Sequence, residues 1–128
     1  MRLLLDTHAL LWWFLGDLSL SPAARQAIDL PESDVYVSAA SAWEIATKFR
    51  LGKLPIPAAV AIDLEEMVQA EGFRPLPVTF RHGHLAGILA IQHKDPFDRM
   101  LIAQAIGEKL TLISNEQLFD GFGVTRLW

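Results

Sequence analysis

The spacing of apolar positions divides the chain into short segments typical of strands and longer segments with the period of a helix. Short apolar or β-branched runs predict strands over residues 2–5, 35–37 and 110–113, and weaker strands over residues 73–77 and 123–127. The 73–77 segment contains two prolines, which exclude it from the centre of a sheet. Longer stretches between the strands have apolar residues at helical spacing. They predict helices over residues 7–15, 22–30, 39–50, 58–71 and 79–91, and one that begins at residue 96.

Strands that alternate with helices indicate βαβ units and a mostly parallel sheet. We therefore predict an α/β fold, a three-layer α/β/α sandwich with helices on both faces of the sheet. The 128 residues fit one domain over residues 1–128, and a hydrophobic content of 52% indicates a packed core. Ligands of such sheets bind beyond the carboxyl ends of the strands, so functional side chains are expected at that edge.

Acidic residues follow or flank the predicted strands at this edge. Asp6 follows the first strand, and Glu44 lies in the helix after the second. Asp98 lies near the start of the helix that precedes strand 110–113, and Glu116 follows that strand. Carboxylates ~5 Å apart at an effective dielectric of ~20 repel each other by about 3 kcal/mol per pair. Such a cluster must bind a cation, take up protons or splay apart, and oxygen ligands select Mg²⁺ or Mn²⁺.

Each acid also has a purely structural interpretation. Asp6 and Asp95 stand where the N-cap of the following helix would lie. Asp98 falls in a first helical turn, where the helix dipole favours a carboxylate whatever its function. Glu116 taken alone would be a surface acid. Position by position, these interpretations compete with a functional site.

Basic residues are few, and the formal charge of -4 counts against a broad basic surface for nucleic acid. A local cluster remains at Lys48, Arg50 and Lys53. Lys48 lies one helical turn after Glu44 and would pair with it. The alternative partner of Glu44 is Ser41, in a capping box.

Composition excludes several other chemistries. The chain has no cysteine, which rules out disulfides, thiolate metal sites and a cysteine nucleophile. It has neither a Gly-x-Ser-x-Gly elbow nor a glycine-rich phosphate loop. Its four histidines are scattered, so structural or surface roles are expected for them. No apolar run suits a membrane span or a signal peptide, and we expect a cytoplasmic protein that contacts no membrane.

Four short sequence segments, taken together, resemble those of a known protein family, although no single residue among them is distinctive. In chain order they read Leu-Asp-Thr-His, Ser-Ala-Trp-Glu-Ile-Ala, Asp-Pro-Phe-Asp-Arg and Leu-Ile-Ser-Asn-Glu. With them, essentially the whole chain resembles a PIN domain of the VapC-like toxin group, and the Asp-Pro-Phe-Asp-Arg segment is quite specific. The resemblance implies a magnesium- or manganese-dependent endoribonuclease, the toxin component of a toxin-antitoxin pair.

The resemblance also implies site residues and partners. Asp6, Glu44 and Asp98 match the catalytic, metal-binding acids of the family. The fourth family acid is usually Asp in a Thr-x-Asp setting, whereas Ser114-Asn115-Glu116 stands here. Glu116 is one methylene longer and would ligate the metal directly or act through water. The implied partners are an RNA substrate, a second copy in a homodimer, and a cognate antitoxin that wraps an apolar groove and reaches the active site.

Residues near these acids are candidates for positioning the substrate. Thr7 and Ser114 would orient water or phosphate, or else cap backbone groups. Arg99 would contact phosphate or pair with an acid. Lys48 would grip the RNA backbone or lie on a solvated helix face. Asp95 is expected to be an N-cap first and a site residue second.

Three tryptophans are candidates for the antitoxin interface. Trp12 and Trp13 are adjacent on a helix, so their side chains point about 100° apart. Either one ring is exposed and joins an interface, or both are buried. Trp43 is expected in the core or at an interface rather than as a platform for stacking bases.

Two other functions are compatible with this class of fold. A phosphoacceptor receiver domain has a similar length and an acidic magnesium pocket, but it needs paired acids after its first strand and a lysine after a late strand. Here Asp6 stands alone, and no lysine follows Lys109. A catalytically weak PIN-like module that binds protein or RNA is the remaining alternative. Metal-dependent RNA cleavage that Asp6→Asn abolishes would separate the enzyme from the module.

Overall fold

Five parallel strands form one sheet in the computed structural model, which describes residues 1–128. The strands are β1 (Arg2–Leu5), β2 (Asp34–Ser38), β3 (Arg74–Leu76), β4 (Thr111–Ile113) and β5 (Arg126–Leu127). Their order across the sheet is β3-β2-β1-β4-β5, and every neighbouring pair is parallel. The predicted parallel sheet is therefore confirmed, and the proline-containing β3 lies at an edge.

Seven helices and a short 3₁₀ turn connect the strands. They are α1 (Thr7–Leu15), α2 (Pro22–Asp29), α3 (Ala39–Arg50), α4 (Ala58–Ile62), α5 (Leu64–Ala70), α6 (Phe80–Ile88), α7 (Pro96–Glu108) and the turn Gln117–Phe119. Asp6, Ser21 and Asp95 are the N-caps of α1, α2 and α7, where each side chain accepts backbone N–H groups. Satisfying these otherwise free donors fixes where each helix begins.

The helix predicted over residues 58–71 is wrong in one respect, because it is two helices. Val60, Leu64 and Val68 are all buried at a spacing that suits one continuous helix. Asp63 nevertheless leaves helical geometry, with φ of -97° and ψ of 21°, and separates α4 from α5. An aspartate is a poor interior helix residue, and the break occurs where the apolar pattern gives no warning.

The hydrophobic core has two parts, one on each face of the sheet. Successive side chains of a strand point to opposite faces, and β1 shows this directly. Leu3 and Leu5 belong to the larger cluster, with residues of α1 to α5, whereas Leu4 belongs to the cluster that includes Leu101 and Leu112. All three leucines of β1 are fully buried, so β1 is the centre of the three layers.

The register of the central strands determines what lies at their carboxyl ends. Leu5 pairs with both Val37 and Ile113, so β1 and β4 end at the same level and β2 continues for one more residue, Ser38. The Asp6 N–H then donates to the Ile113 carbonyl at 3.0 Å, which extends the pairing by one residue. Side chains that follow these strands are therefore held side by side. No helix of the chain is both long and apolar enough to cross a bilayer.

Candidate active site

A pocket of about 120 Å³ lies at the carboxyl edge of the sheet and is lined mainly by polar side chains. Asp6, Glu44, Asp98 and Glu116 all face it, from four separate segments of the chain. The complete lining is Asp6, Thr7, His8, Glu44, Lys48, Asp95, Asp98, Asn115, Glu116 and Phe119. The structure thus brings together all four acids that were singled out in the sequence.

Asp6 is buried at the start of α1, and its Oδ1 accepts the Ala9 N–H at 2.8 Å. It is both an N-cap and a pocket residue. Burial raises the pKa of Asp6, and the charge of Asp98 raises it further. Hydrogen bonds from the Ser114 hydroxyl and the Ala9 N–H act in the opposite direction, as does His8, without cancelling the rise in pKa. A bound cation would favour the ionised form of this carboxyl.

Glu44 is buried in α3 and has a partner for each carboxylate oxygen. Its Oε1 accepts the Thr7 hydroxyl at 2.6 Å, and its Oε2 lies 2.5 Å from the Lys48 ammonium. The alternative prediction, a capping box between Ser41 and Glu44, is wrong, because Ser38 is the N-cap of α3. The Ser41 hydroxyl instead lies 3.1 Å from Thr7 Oγ1. Thr7 therefore contacts Glu44 and orients it, which the sequence did not indicate.

Asp98 lies in the first turn of α7 with about a third of its side chain exposed, 31%. Burial raises its pKa, and the negative charges of Asp95 and Glu44 raise it further. The opposing influence is His93, whose Nε2 lies 2.8 Å from Asp98 Oδ2. Sequence reasoning missed His93 because it searched for histidine pairs at metal-binding spacing. A histidine close before an acidic N-terminal turn was the available signal.

The last acid is held less tightly than the others. Glu116 is exposed, and its Oε1 accepts the Leu118 N–H at 3.3 Å as the cap of the 3₁₀ turn. Its own N–H donates to the buried Ser114 hydroxyl at 3.0 Å. Asn115 also lines the pocket and is exposed. This wall of the pocket is thus built from turn residues rather than from a regular helix or strand.

Asp95 and Lys48 complete the charged rim of the pocket. Asp95 Oδ1 accepts the N–H groups of Phe97 and Asp98, so the predicted N-cap is confirmed. Lys48 pairs with Glu44, and the resulting hydrogen bond raises the pKa of Lys48, aided by the charges of Asp95 and Asp98. The pairing predicted for Lys48 and Glu44 is also confirmed.

Arg99 does not pair with an acid, which was one of the two roles predicted for it. It does not line the pocket, and its guanidinium donates to backbone carbonyls at distances of 2.8 to 3.3 Å. The acceptors are Ala86, Gly87, Leu89, Ile91 and His93. Their carbonyls surround the guanidinium and use its donors, which leaves little capacity for phosphate or an acid. Arg99 therefore organises the segment that leads into the pocket.

The three tryptophans differ in exposure. Trp12 and Trp13 are both half-buried and pack against the larger core cluster, so the alternative in which one ring is freely exposed is wrong. Trp12 lies 5.7 Å from the Trp128 ring and Trp13 lies 6.0 Å from the Phe73 ring, measured between centroids. Trp43 is 66% exposed and is the tryptophan available to a partner.

The donor set of the pocket fits a hard divalent cation. Its acids supply oxygen ligands only, and burial together with nearby negative charge raises the pKa values of two of them, Asp6 and Asp98. No group of three or more His, Cys, Asp or Glu side chains is arranged so that it could hold a metal ion as it stands. Glu44 and Asp98 are instead oriented toward the basic side chains of Lys48 and His93. Ion binding at these carboxylates would require Lys48 and His93 to give up those contacts.

The fold and the acidic pocket at this edge of the sheet define a class of protein. The PIN domain family matches residues 3–123, and the chain belongs to that family. One curated relative is Ribonuclease VapC16 of Mycobacterium tuberculosis (strain ATCC 25618 / H37Rv), 44% identical over 58 residues. That match covers 45% of this chain and 41% of the relative, so the chain spans about two fifths of the relative's length.

Solved structures share the fold across nearly the whole chain. VapBC2 of Rickettsia felis, bound to a DNA fragment from its promoter, is 13% identical with a TM-score of 0.73, covering 99% of this chain and 98% of that one. VapBC-1 of nontypeable Haemophilus influenzae is 15% identical with a TM-score of 0.72, covering 99% and 97%. A toxin-antitoxin complex of Klebsiella pneumoniae is 17% identical with a TM-score of 0.66, covering 98% and 95%. At these identities the likeness shows the fold alone.

Proposed function

We propose that this single-domain chain is an endoribonuclease that requires Mg²⁺ or Mn²⁺ and is the toxin component of a toxin-antitoxin pair. The observation that carries the proposal is the convergence of Asp6, Glu44, Asp98 and Glu116 on one pocket. Two of these acids have pKa values raised by burial and by neighbouring negative charge. Such a pocket costs stability unless it serves a ligand, and a divalent cation with RNA phosphate is the ligand that complements it.

The relatives support the same activity. The curated relative is named a ribonuclease, and structural neighbours are described as toxin-antitoxin complexes. The segment-by-segment resemblance of the sequence points the same way. A PIN-like module that binds without cutting has the same fold, so direct assay must separate these two functions.

Asp6, Glu44 and Asp98 would hold the ion, with Glu116 completing the set from the wall that is built of turn residues. A bound divalent cation supplies a more acidic water molecule and positive charge for the phosphate oxygens. Thr7 orients Glu44, and the Ser114 hydroxyl orients Asp6. These positioning contacts come from buried side chains, so the carboxylates keep their directions while substrate enters. No side-chain nucleophile is needed for hydrolysis of this kind.

The proposed regulatory partner is a cognate antitoxin protein, and the proposed assembly of the toxin is a homodimer. An apolar cleft lined by Trp43, Val78, Phe97 and Met100, among others, adjoins the site through α3 and α7. The exposed Trp43 packs edge-on against Phe97, with 5.1 Å between centroids. Burying this surface under protein would remove exposed apolar area from water.

The test is cleavage of a structured RNA by purified, antitoxin-free protein with Mn²⁺, with Mg²⁺ and with EDTA. We expect cleavage only with a divalent ion and its loss in Asp6→Asn and Asp98→Asn. Asp29→Asn is the matched control, because Asp29 is exposed at the end of α2 and does not line the acidic pocket. Intact RNA with wild-type protein and Mn²⁺ would instead favour the binding module.

A further inference from the structure

Lys48 is the one lysine or arginine that lines the acidic pocket. Its ammonium lies 2.5 Å from Glu44 Oε2 and 5.8 Å from the centroid of the Phe97 ring. The side chain of Lys48 is 36% exposed, whereas that of Glu44 is only 8% exposed. A flexible, partly solvated cation is therefore paired with a nearly buried carboxylate.

The two oxygens of Glu44 are not equivalent. Oε1 accepts the hydroxyl of Thr7, which is itself buried and therefore held in place. Oε2 faces the Lys48 ammonium, which is the mobile partner. Of the two oxygens, Oε2 is the one that a small cation could take over without disrupting the buried Thr7 contact.

The charge of Lys48 also reaches the other acids of the pocket. Lys48 interacts electrostatically with Asp95 and Asp98 as well as with Glu44. Removing this ammonium would leave a buried carboxylate among other carboxylates with no lysine or arginine beside it. An unpaired buried charge is strongly unfavourable, so the pocket depends on some positive charge.

We propose that Lys48 is a built-in counter-cation of the pocket, whose ammonium competes with the divalent ion for Glu44 Oε2. This inference rests on the proposed metal-dependent function. Ion binding then displaces Lys48 from Glu44, and the Lys48–Glu44 pair sets how tightly the ion is held. Two simpler roles make different predictions. A lysine that only contacts RNA leaves ion affinity unchanged when RNA is absent, and a purely structural ion pair does not oppose the ion.

The experiment measures Mn²⁺ affinity without RNA, by electron paramagnetic resonance of free Mn²⁺ and by calorimetry. Lys48→Met and Lys48→Gln remove the charge, and Gln retains a hydrogen-bond donor for Glu44 in case the Met variant folds poorly. Lys48→Arg keeps the charge. Arg50→Met is the matched control, because Arg50 is exposed on the same helix and does not line the pocket.

We expect Mn²⁺ to bind about threefold to tenfold more tightly to Lys48→Met and Lys48→Gln, the range for loss of a competing, partly exposed ion pair. Lys48→Arg and Arg50→Met should bind Mn²⁺ like the wild type. A second readout is thermal unfolding. In EDTA the Met and Gln variants should unfold at lower temperature than wild type, and saturating Mn²⁺ should raise their unfolding temperatures by more than it raises that of the wild type.

Equal or weaker Mn²⁺ affinity in both neutral variants would overturn the role of Lys48 while leaving metal-dependent cleavage intact. If neither the wild type nor any variant binds Mn²⁺, the metal-dependent function fails, and the inference about Lys48 fails with it. If Lys48→Met and Lys48→Gln bind Mn²⁺ and the wild type does not, the result would support strong competition between the Lys48 ammonium and the ion.

Discussion

Replacing Arg99 with methionine tests how the pocket is held in place from outside. Residues 89–95 have no regular secondary structure, yet they carry His93 and Asp95 to the pocket. The guanidinium of Arg99 binds three carbonyls of this segment and two more at the end of α6. Arg99→Met removes all five hydrogen bonds and retains a side chain of similar length.

Those five contacts determine the loss of folding free energy in Arg99→Met. A hydrogen bond to a charged group contributes about 1.5 to 3 kcal/mol. The five bonds share one partly exposed guanidinium, so their contributions do not add, and about 3 to 5 kcal/mol is a reasonable total for removing such a network. At about 3 to 5 °C per kcal/mol for a domain of this size, the unfolding temperature should fall by about 10 to 20 °C. The unfolding temperature of Arg99→Lys should fall by roughly half as much, because the lysine ammonium still has three N–H donors.

The loss of stability is measured by thermal unfolding, monitored by circular dichroism, and hydrogen exchange shows which segment is affected. Exchange should increase most over residues 86–95, whose carbonyls lose their common donor. Arg81→Met is the control, since Arg81 is exposed on α6 and its side chain makes no hydrogen bond or ion pair. An unfolding temperature within about 3 °C of wild type, with unchanged exchange over this segment, would refute the role given to Arg99.

Three further predictions concern the pocket itself. Burial raises the pKa of Asp6, so the folded state disfavours its ionised form. The resulting loss of stability is absent below about pH 3.8, the ordinary value for aspartate, grows as the pH rises from there to the folded pKa, and is fully present above the folded pKa. In EDTA, Asp6→Asn should therefore unfold at higher temperature than wild type at pH 7 and at the same temperature near pH 3.5; a less stable Asp6→Asn at pH 7 would contradict this. Thr7→Val should weaken Mn²⁺ affinity or cleavage by about 10-fold to 100-fold, whereas Thr7→Ser should retain most of both, because the hydroxyl that orients Glu44 is lost only in valine. Glu116→Gln should reduce the cleavage rate less than Asp98→Asn, because Glu116 is exposed and caps a short turn. Equal losses in the two variants would contradict this lesser role of Glu116.

The sequence predicted those parts of the fold in which local signals and burial agree. The boundaries of β1, α1 and α3 were predicted to the residue, because Asp6 caps a helix directly after a strand buried on both faces. The meeting of Asp6, Glu44 and Asp98 followed from the parallel order of the strands, without knowledge of any side-chain contact. Topology and capping were sufficient for this part of the site.

Contacts that depend on the path of irregular backbone could not be predicted in this way. His93 reaches Asp98 only because the segment before α7 is folded around Arg99, and no periodicity describes that path. The break at Asp63 was hidden because Val60 and Leu64 keep a helical spacing across it. In both cases, tertiary packing rather than local preference determines the structure.

The pocket has one side held by the sheet, where Asp6 directly follows the central strand, and an opposite side built from turns. The Asp6 backbone continues the pairing of β1 with β4, so a shift of that backbone would disturb the buried centre of the sheet. Asn115 and Glu116, on the opposite wall, belong to turns that can change length or residue type without disturbing the sheet. Under the proposed function, substitutions in that wall would change which RNA is accepted, while the residues on the sheet keep the ion-binding chemistry.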